Sequence, residues 1–225
     1  MSPHMRALLV LSMGIPATAS AQSIPIANHS FEQTPAGAGC FDVFGIPPGW
    51  VEYDPNDLFP GGGNFFGVLN PGPTTYFLPG QVPDGDNVAL LFFQGSIGLG
   101  ELGIRQFLGV NLEGPRTYRL SVGVGNIASG ASPVPPCSNG DFFDLDAFPG
   151  YAVELLAGGA LLDEDDDSLD IPEGEFRTSI VEVTIEAGDP RIGGELEIRL
   201  INLNEDDPSD PDDPGIEVDF DNVVL

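Results

Sequence analysis

The chain is predicted to fold as an all-β, antiparallel two-sheet sandwich, and three observations carry that expectation. Apolar residues recur with a period of two in several separate segments, and turn-forming residues punctuate them. No stretch of ten or more residues has the 3.6-residue periodicity of an amphipathic helix. Composition agrees: among 225 residues, 30 Gly, 22 Pro and 15 Phe interrupt helices while supplying turns and strand side chains.

In chain order, the first segment stands apart. Met1–Ala21 has a positive charge at Arg6, an apolar run from Ala7 to Ile15 and the small residues Ala19, Ser20 and Ala21, the pattern of a cleaved signal peptide. The protein is therefore expected to be secreted, extracellular or held at the cell surface. Residues 22–225 are expected to form one domain, long enough to bury about 70% of its unfolded surface without staples. No later apolar run approaches the roughly 18 residues of a membrane helix, so no membrane insertion is expected.

Strand candidates follow at residues 24–27, 49–53, 65–69, 75–78, 87–93, 102–110 and 151–157. Alternation is cleanest in four others. Tyr118, Leu120, Val122 and Val124 form one apolar face; Val181, Val183 and Ile185 a second; Leu196, Ile198 and Leu200 a third. In the last, Ile216, Val218 and Phe220 alternate with Glu217, Asp219 and Asp221. Each pattern implies an antiparallel strand with one apolar and one wet face. Turn chemistry separates them at Pro71-Gly72, Asp84-Gly85, Glu113-Gly114-Pro115, Gly158-Gly159 and Gly193-Gly194. The loops at 33–48, 126–149 and 203–215 are long, and long loops on a rigid sandwich commonly carry binding sites.

Thirty-five acidic residues face seven basic ones, all arginine, for a formal net charge of −28. Nucleic acid and anionic membranes are excluded as partners, because both require a cationic surface. Self-repulsion of this size needs screening by salt or bound cations. A saline habitat, a lysine-poor genome and calcium binding all account for the total. Two cysteines, Cys40 and Cys137, lie in Gly/Pro-rich loops, and in an exported chain a lone pair is expected to form one disulfide. The chain-entropy model assigns roughly 4–5 kcal/mol to closing so long a loop.

Short motifs add a resemblance. The mature chain opens with Ile26-Ala27-Asn28-His29-Ser30-Phe31-Glu32 and closes with Val218-Asp219-Phe220-Asp221-Asn222. Between them come Pro48-Gly49-Trp50, Asp84-Gly85-Asp86-Asn87, Ile104-Arg105-Gln106 and Thr117-Tyr118-Arg119-Leu120. This order resembles galactose-binding-like jelly rolls, among them calcium-stabilised carbohydrate-binding modules, and also uncharacterised exported bacterial proteins of the PEP-CTERM-associated type. The sorting tail of the latter is expected to be absent here. The resemblance implies that first and last strands lie side by side with a structural calcium between them. Glu32 and Asp221 would supply carboxylates, and Ser30 and the turn holding Asp84 and Asp86 would supply further oxygens, the hard ligands calcium takes.

Other acidic clusters fit calcium less well. Asp163, Asp165 and Asp167 begin like an EF-hand loop, but Ser168 replaces its turn glycine and Pro172 interrupts it. The cluster at 210–215 is followed by strand where an EF-hand needs helix. Both read as solvated acidic loops.

No catalytic apparatus is recognisable. His29 is the mature chain's one histidine and sits beside Phe31. The Gln94–Gly98 segment lacks the first glycine of a nucleophile elbow, and Gly98–Gly103 matches a dinucleotide fingerprint without its βαβ unit. Exposed rings could stack on sugars, with Phe66, Tyr76, Phe142 and Phe143 as ligand-binding candidates. The expectation from sequence is thus a secreted, non-enzymatic domain that binds a polysaccharide or cell-surface glycan. The alternative is an extracellular structural or adhesive protein with calcium-dependent contacts. A hydrolase would need two carboxylates about 5–10 Å apart in a cleft.

Overall fold

A computed structural model describes residues 22–34, 36–42, 45–58, 64–93, 100–132, 137, 140–205 and 216–225. The expected signal peptide and the motifs at 94–98 and 210–215 lie outside these residues. In chain order the strands are β1 (Phe41–Asp42), β2 (Val51–Tyr53), β3 (Phe65–Leu69), β4 (Val88–Phe92), β5 (Leu102–Asn111), β6 (Arg116–Asn126) and β7 (Gly130–Ala131). There follow β8 (Phe142–Phe143), β9 (Tyr151–Ala157), β10 (Ala160–Asp166), β11 (Glu175–Ile185), β12 (Glu195–Asn202) and β13 (Glu217–Val224).

One sheet has the order β1-β3-β4-β13-β6-β11 and the other β10-β9-β12-β5-β2, while β7 and β8 form a separate hairpin. The pairs are antiparallel, so the predicted two-sheet jelly-roll sandwich is the architecture observed. The N-terminal segment runs beside the last strand: Ile24 N–H donates to the Leu225 carbonyl and Val223 N–H to that of His29.

The inner faces interdigitate as the alternation requires. Leu120, Val122 and Val124 of β6 and Val218 and Phe220 of β13 meet Ile198 and Leu200 of β12 and Val153 and Leu155 of β9. Each such side chain contributes roughly 1.5–3 kcal/mol by leaving water. Phe31 and Trp50 close one end with ring centroids 5.6 Å apart.

The outer faces differ. That of the five-stranded sheet carries ion pairs, with Arg199 bridging Glu197 at 2.8 Å and Glu154 at 3.1 Å. That of the six-stranded sheet is roofed by residues 71–83, 127–132 and 140–148. Tyr76, Phe77, Ile127 and Leu145 pack there on Leu69, Val88 and Leu90 as a second apolar cluster. Strand β4 is therefore covered on both sides, which matches its unbroken apolar run from Val88 to Phe93.

Three local expectations change. Residues 75–78 form bends within the roof, not a strand, with Ala128 N–H donating to the Tyr76 carbonyl and Leu78 N–H to that of Gly174. Residues 24–26 have no regular structure and Ala27 begins a turn, so this segment lies outside the sheets. The cluster at 163–167 is not a solvated loop. Asp163 and Asp165 lie in β10, and buried Asp165 accepts hydrogen bonds from Tyr151 at 2.9 Å and Ser179 at 2.5 Å.

Candidate active site

Between the six-stranded sheet and its roof lies a cavity of about 250 Å³. Its floor is Phe65 and Leu69 of β3, Leu90 and Phe92 of β4, and Glu217 of β13. Phe41, Tyr76, Ile127, Phe143 and Leu145 form the walls. A concave, aromatic-lined space with one or two polar groups suits a small, largely apolar ligand.

Strand alternation puts Glu217, Asp219 and Asp221 on this outer face, while Val218 and Phe220 point into the inter-sheet core. The register sets Glu217 opposite Phe92, Asp219 opposite Leu90 and Gly125, and Asp221 opposite Gly123. Gly125 makes room for the ring of Phe176, its cross-strand partner in β11, since a Cβ there would stand 2.5 Å from a carbon of that ring. The face expected to be wet is thus dry. Glu217 is 3% exposed, and its Oε1 is buried without a hydrogen-bond partner.

Burial penalises the charged carboxylate, and it pushes Glu217 up to about 8. The shift favours the protonated carboxyl at neutral pH. Asp219 is fully buried with both carboxyl oxygens unpartnered, and burial together with the charge of Glu217 raises it well above the ordinary range. The Tyr76 hydroxyl is also raised, by burial and then by Glu217, against a lowering hydrogen bond with Ser132. Ser132 in turn donates to the Gly39 carbonyl at 3.4 Å.

The expected calcium positions converge at the far end of β13. The Glu32 carboxylate accepts from the backbone N–H groups of Asp86 and Asn87, both at 2.7 Å, and from the Asn87 side-chain amide at 2.6 Å. Gly85 turns the chain with φ +75°, and a Cβ there would land on the Glu32 carboxylate. Asp221 accepts from Asp84 N–H at 2.8 Å and Asn222 N–H at 2.7 Å. Burial raises Asp221 to about 8, those two amides oppose the rise, and the charges of Asp84 and Glu32 add to it. His29 lies 3.8 Å from Asp84. Ser30 is half-buried beside this turn of chain, and Asp86 is exposed. Among the described residues no three His, Cys, Asp or Glu side chains form a metal-holding group. A cation would therefore draw on two carboxylates, Glu32 and Asp221, and complete its shell with main-chain carbonyls.

The four ring candidates divide. Tyr76 and Phe143 line the cavity, Phe66 faces the inter-sheet core at 1% exposure, and Phe142 is 67% exposed on the outside. Cys40 and Cys137 are bonded, with Cα atoms 5.0 Å apart. Glu217 was not among the sequence candidates. The available signal was the apolar run of its partner strand β4, which shows that the shared sheet is covered on both faces.

The HpiC1-like family model, described as HpiC1 cyclase, matches residues 22–225. A cyclase from Fischerella sp. TAU, solved with 4-(1H-indol-3-yl)butan-2-one, is 37% identical over 91% of this chain and 96% of its own, with a TM-score of 0.74. The Stig cyclase Fisc from the same organism, solved with (3Z)-3-(1-methyl-2-pyrrolidinylidene)-3H-indole, is also 37% identical with the same coverages and a TM-score of 0.75. Another Fischerella sp. TAU cyclase is 34% identical over 91% of this chain and 96% of its own, with a TM-score of 0.70. No curated protein matches the sequence.

These findings overturn the expectation of a non-enzymatic glycan-binding or adhesive protein. The family is one of enzymes, and the solved relatives hold small indole-bearing molecules, not carbohydrate. The physical reason for the error is that the rings and the acid lie under a roof, where sequence alternation placed them in water. The chain belongs to the HpiC1-like cyclase family.

Proposed function

We propose that the protein is a cyclase that closes a ring in a small, unsaturated, indole-bearing substrate by general acid catalysis from Glu217. The observation that carries this reading is a buried carboxyl, Glu217, with Oε1 unpartnered, in a cavity otherwise lined by apolar and aromatic groups, where burial favours its neutral form. The ligands of the Fischerella relatives supply the indole part of the substrate class.

The chemistry balances within the cavity. Glu217 gives its proton to one carbon of a substrate π bond, leaving a carboxylate and a carbocation. A second π bond attacks the cationic carbon and forms the ring bond. The resulting cation loses a proton to the Glu217 carboxylate, which restores the acid. Aromatic faces such as Phe41, Phe65 and Phe143 stabilise the passing cation through their ring quadrupoles. The apolar lining excludes water that would otherwise trap it. Tyr76, anchored by Ser132, supplies a second polar group to orient a substrate nitrogen or oxygen.

The test is turnover of a panel of indoles bearing unsaturated side chains, run in H₂O and D₂O. Ring-closed product carrying solvent deuterium supports external protonation. Full turnover by Glu217→Gln overturns the role of Glu217.

Two further readings extend the proposal. A calcium ion held by Glu32, Asp221 and nearby carbonyls would neutralise a buried carboxylate that faces two other acids. The leader-like pattern of residues 1–21, with the Cys40–Cys137 bridge, supports action outside the cytoplasm. N-terminal sequencing of the mature protein tests that: a start at Met1 refutes export by cleavage.

A further inference from the structure

We propose that the Cys40–Cys137 disulfide is a positioning element of the active cavity, fixing one of its walls against the other and not serving chiefly to staple the sandwich. The inference rests on the reading of this cavity as the active site.

Among the described residues, the two segments that the bridge joins include the shortest strands, and the β7–β8 hairpin is extended by Ser132 N–H donating to the Asp141 carbonyl at 3.0 Å. On one side, β1 pairs with β3 through Phe41 and Asp42 alone. It is extended by Gly39 N–H donating to the Asn70 carbonyl and Asn70 N–H to that of Cys40, each at 2.8 Å. On the other, the β7–β8 hairpin has two register pairs, Gly130 with Phe143 and Ala131 with Phe142. Cys137 sits in the stretch that connects its strands. Each segment delivers one ring to the cavity, Phe41 from β1 and Phe143 from β8.

Across the seam the rings meet edge to face at 5.7 Å, and Ser132 reaches the Gly39 carbonyl at 3.4 Å. A long hydrogen bond and one ring contact are weak ties against water entering an apolar cavity. The covalent bridge, spanning 97 residues of sequence, holds the seam shut. Neither cysteine belongs to the inter-sheet core, whose buried residues lie on the other side of the sheet. Loss of the bridge therefore opens the wall first. The wall carries both the rings that shape the cavity and, through Ser132, the anchor of Tyr76.

The experiment compares oxidised protein with protein reduced by a phosphine, which converts the bridge to two thiols while the phosphine becomes its oxide. The Cys40→Ser/Cys137→Ser variant serves as the permanent form. Amide hydrogen exchange and affinity for 4-(1H-indol-3-yl)butan-2-one are measured on each. The expected result is lost protection in residues 37–42 and 127–145, retained protection in β5, β6, β9 and β12, and at least a tenfold rise in Kd. Unchanged protection and Kd overturn the proposal. So does loss of protection throughout the sandwich, which makes the bridge a global staple. If the oxidised protein fails to bind the probe, the reading of the cavity falls, while the exchange pattern still decides whether the bridge clamps this wall.

Discussion

Replacing Glu217 by glutamine tests the reasoning with opposite signs for activity and stability. The side chain is 3% exposed, and burial lifts it from the ordinary value of 4.5 to about 8. At pH 7 about 90% of such a group is protonated, against about 0.3% of an ordinary glutamate. The folded state therefore holds a proton that the unfolded chain has released. Stability linked to this group is fully present below the unfolded value, declines as pH rises from about 4.5 to about 8, and levels off above.

At pH 7 the interval from 4.5, taken at 1.36 kcal/mol per pH unit, amounts to roughly 3 kcal/mol of stability forgone. Glutamine keeps the shape and never ionises. The variant is thus expected to be more stable than the parent by roughly 3 kcal/mol at pH 7 and equal to it near pH 4, while cyclisation falls by about 10²–10⁴-fold. Parent activity should fall as pH rises through about 8. Denaturant titrations of both proteins across this pH range give the difference for Glu217 together with Asp219, whose carboxyl it raises, while groups remote from the pair cancel. A variant less stable than the parent at pH 7, or a difference that does not vary with pH, refutes the claim that a protonated carboxyl is stored here.

Other consequences can be checked by simpler means. Gly125→Ala drives a methyl group into the Phe176 ring and should cost about 1–3 kcal/mol, read as a lowered denaturant midpoint; an unchanged midpoint would show that the Phe176 ring yields freely. Phe143→Ala should weaken binding of 4-(1H-indol-3-yl)butan-2-one by about tenfold, a single buried ring contact being worth about 1 kcal/mol or more, whereas exposed Phe142→Ala should leave it unchanged; equal effects at both positions refute the placement of the cavity. Chelation of divalent cations should lower Tm, because a ion bound only by the native state stabilises it by mass action, and an unmoved Tm refutes the proposed calcium.

The sandwich was legible because alternation depends on near neighbours. The apolar faces of β6, β11, β12 and β13 could be read residue by residue, and Phe31, Trp50, Tyr118 and Phe220 are all buried. The site was not legible by the same rule. Alternation shows that Glu217 and Phe220 point opposite ways, but not that a roof made of residues 71–83, 127–132 and 140–148 covers the second face. That roof is built from turns and two-residue strands, whose placement depends on contacts distant in sequence. Tyr76 and Phe143 were noticed as rings and misread as a platform. The clue lay in β4, where Leu90 and Phe92 on the outer face are as apolar as Ala89 and Leu91 on the inner one.

A sheet with one wet face cannot hold an acid of this kind, because water returns an exposed carboxyl to its ordinary range. The second apolar layer changes that by one geometric step. It removes Glu217 from solvent, supplies rings that tolerate a cation, and leaves a space near 250 Å³ for the molecule that receives the proton. In the proposed mechanism the same burial lets one group serve twice: once Glu217 has donated its proton, its desolvated carboxylate is the base that takes a proton back.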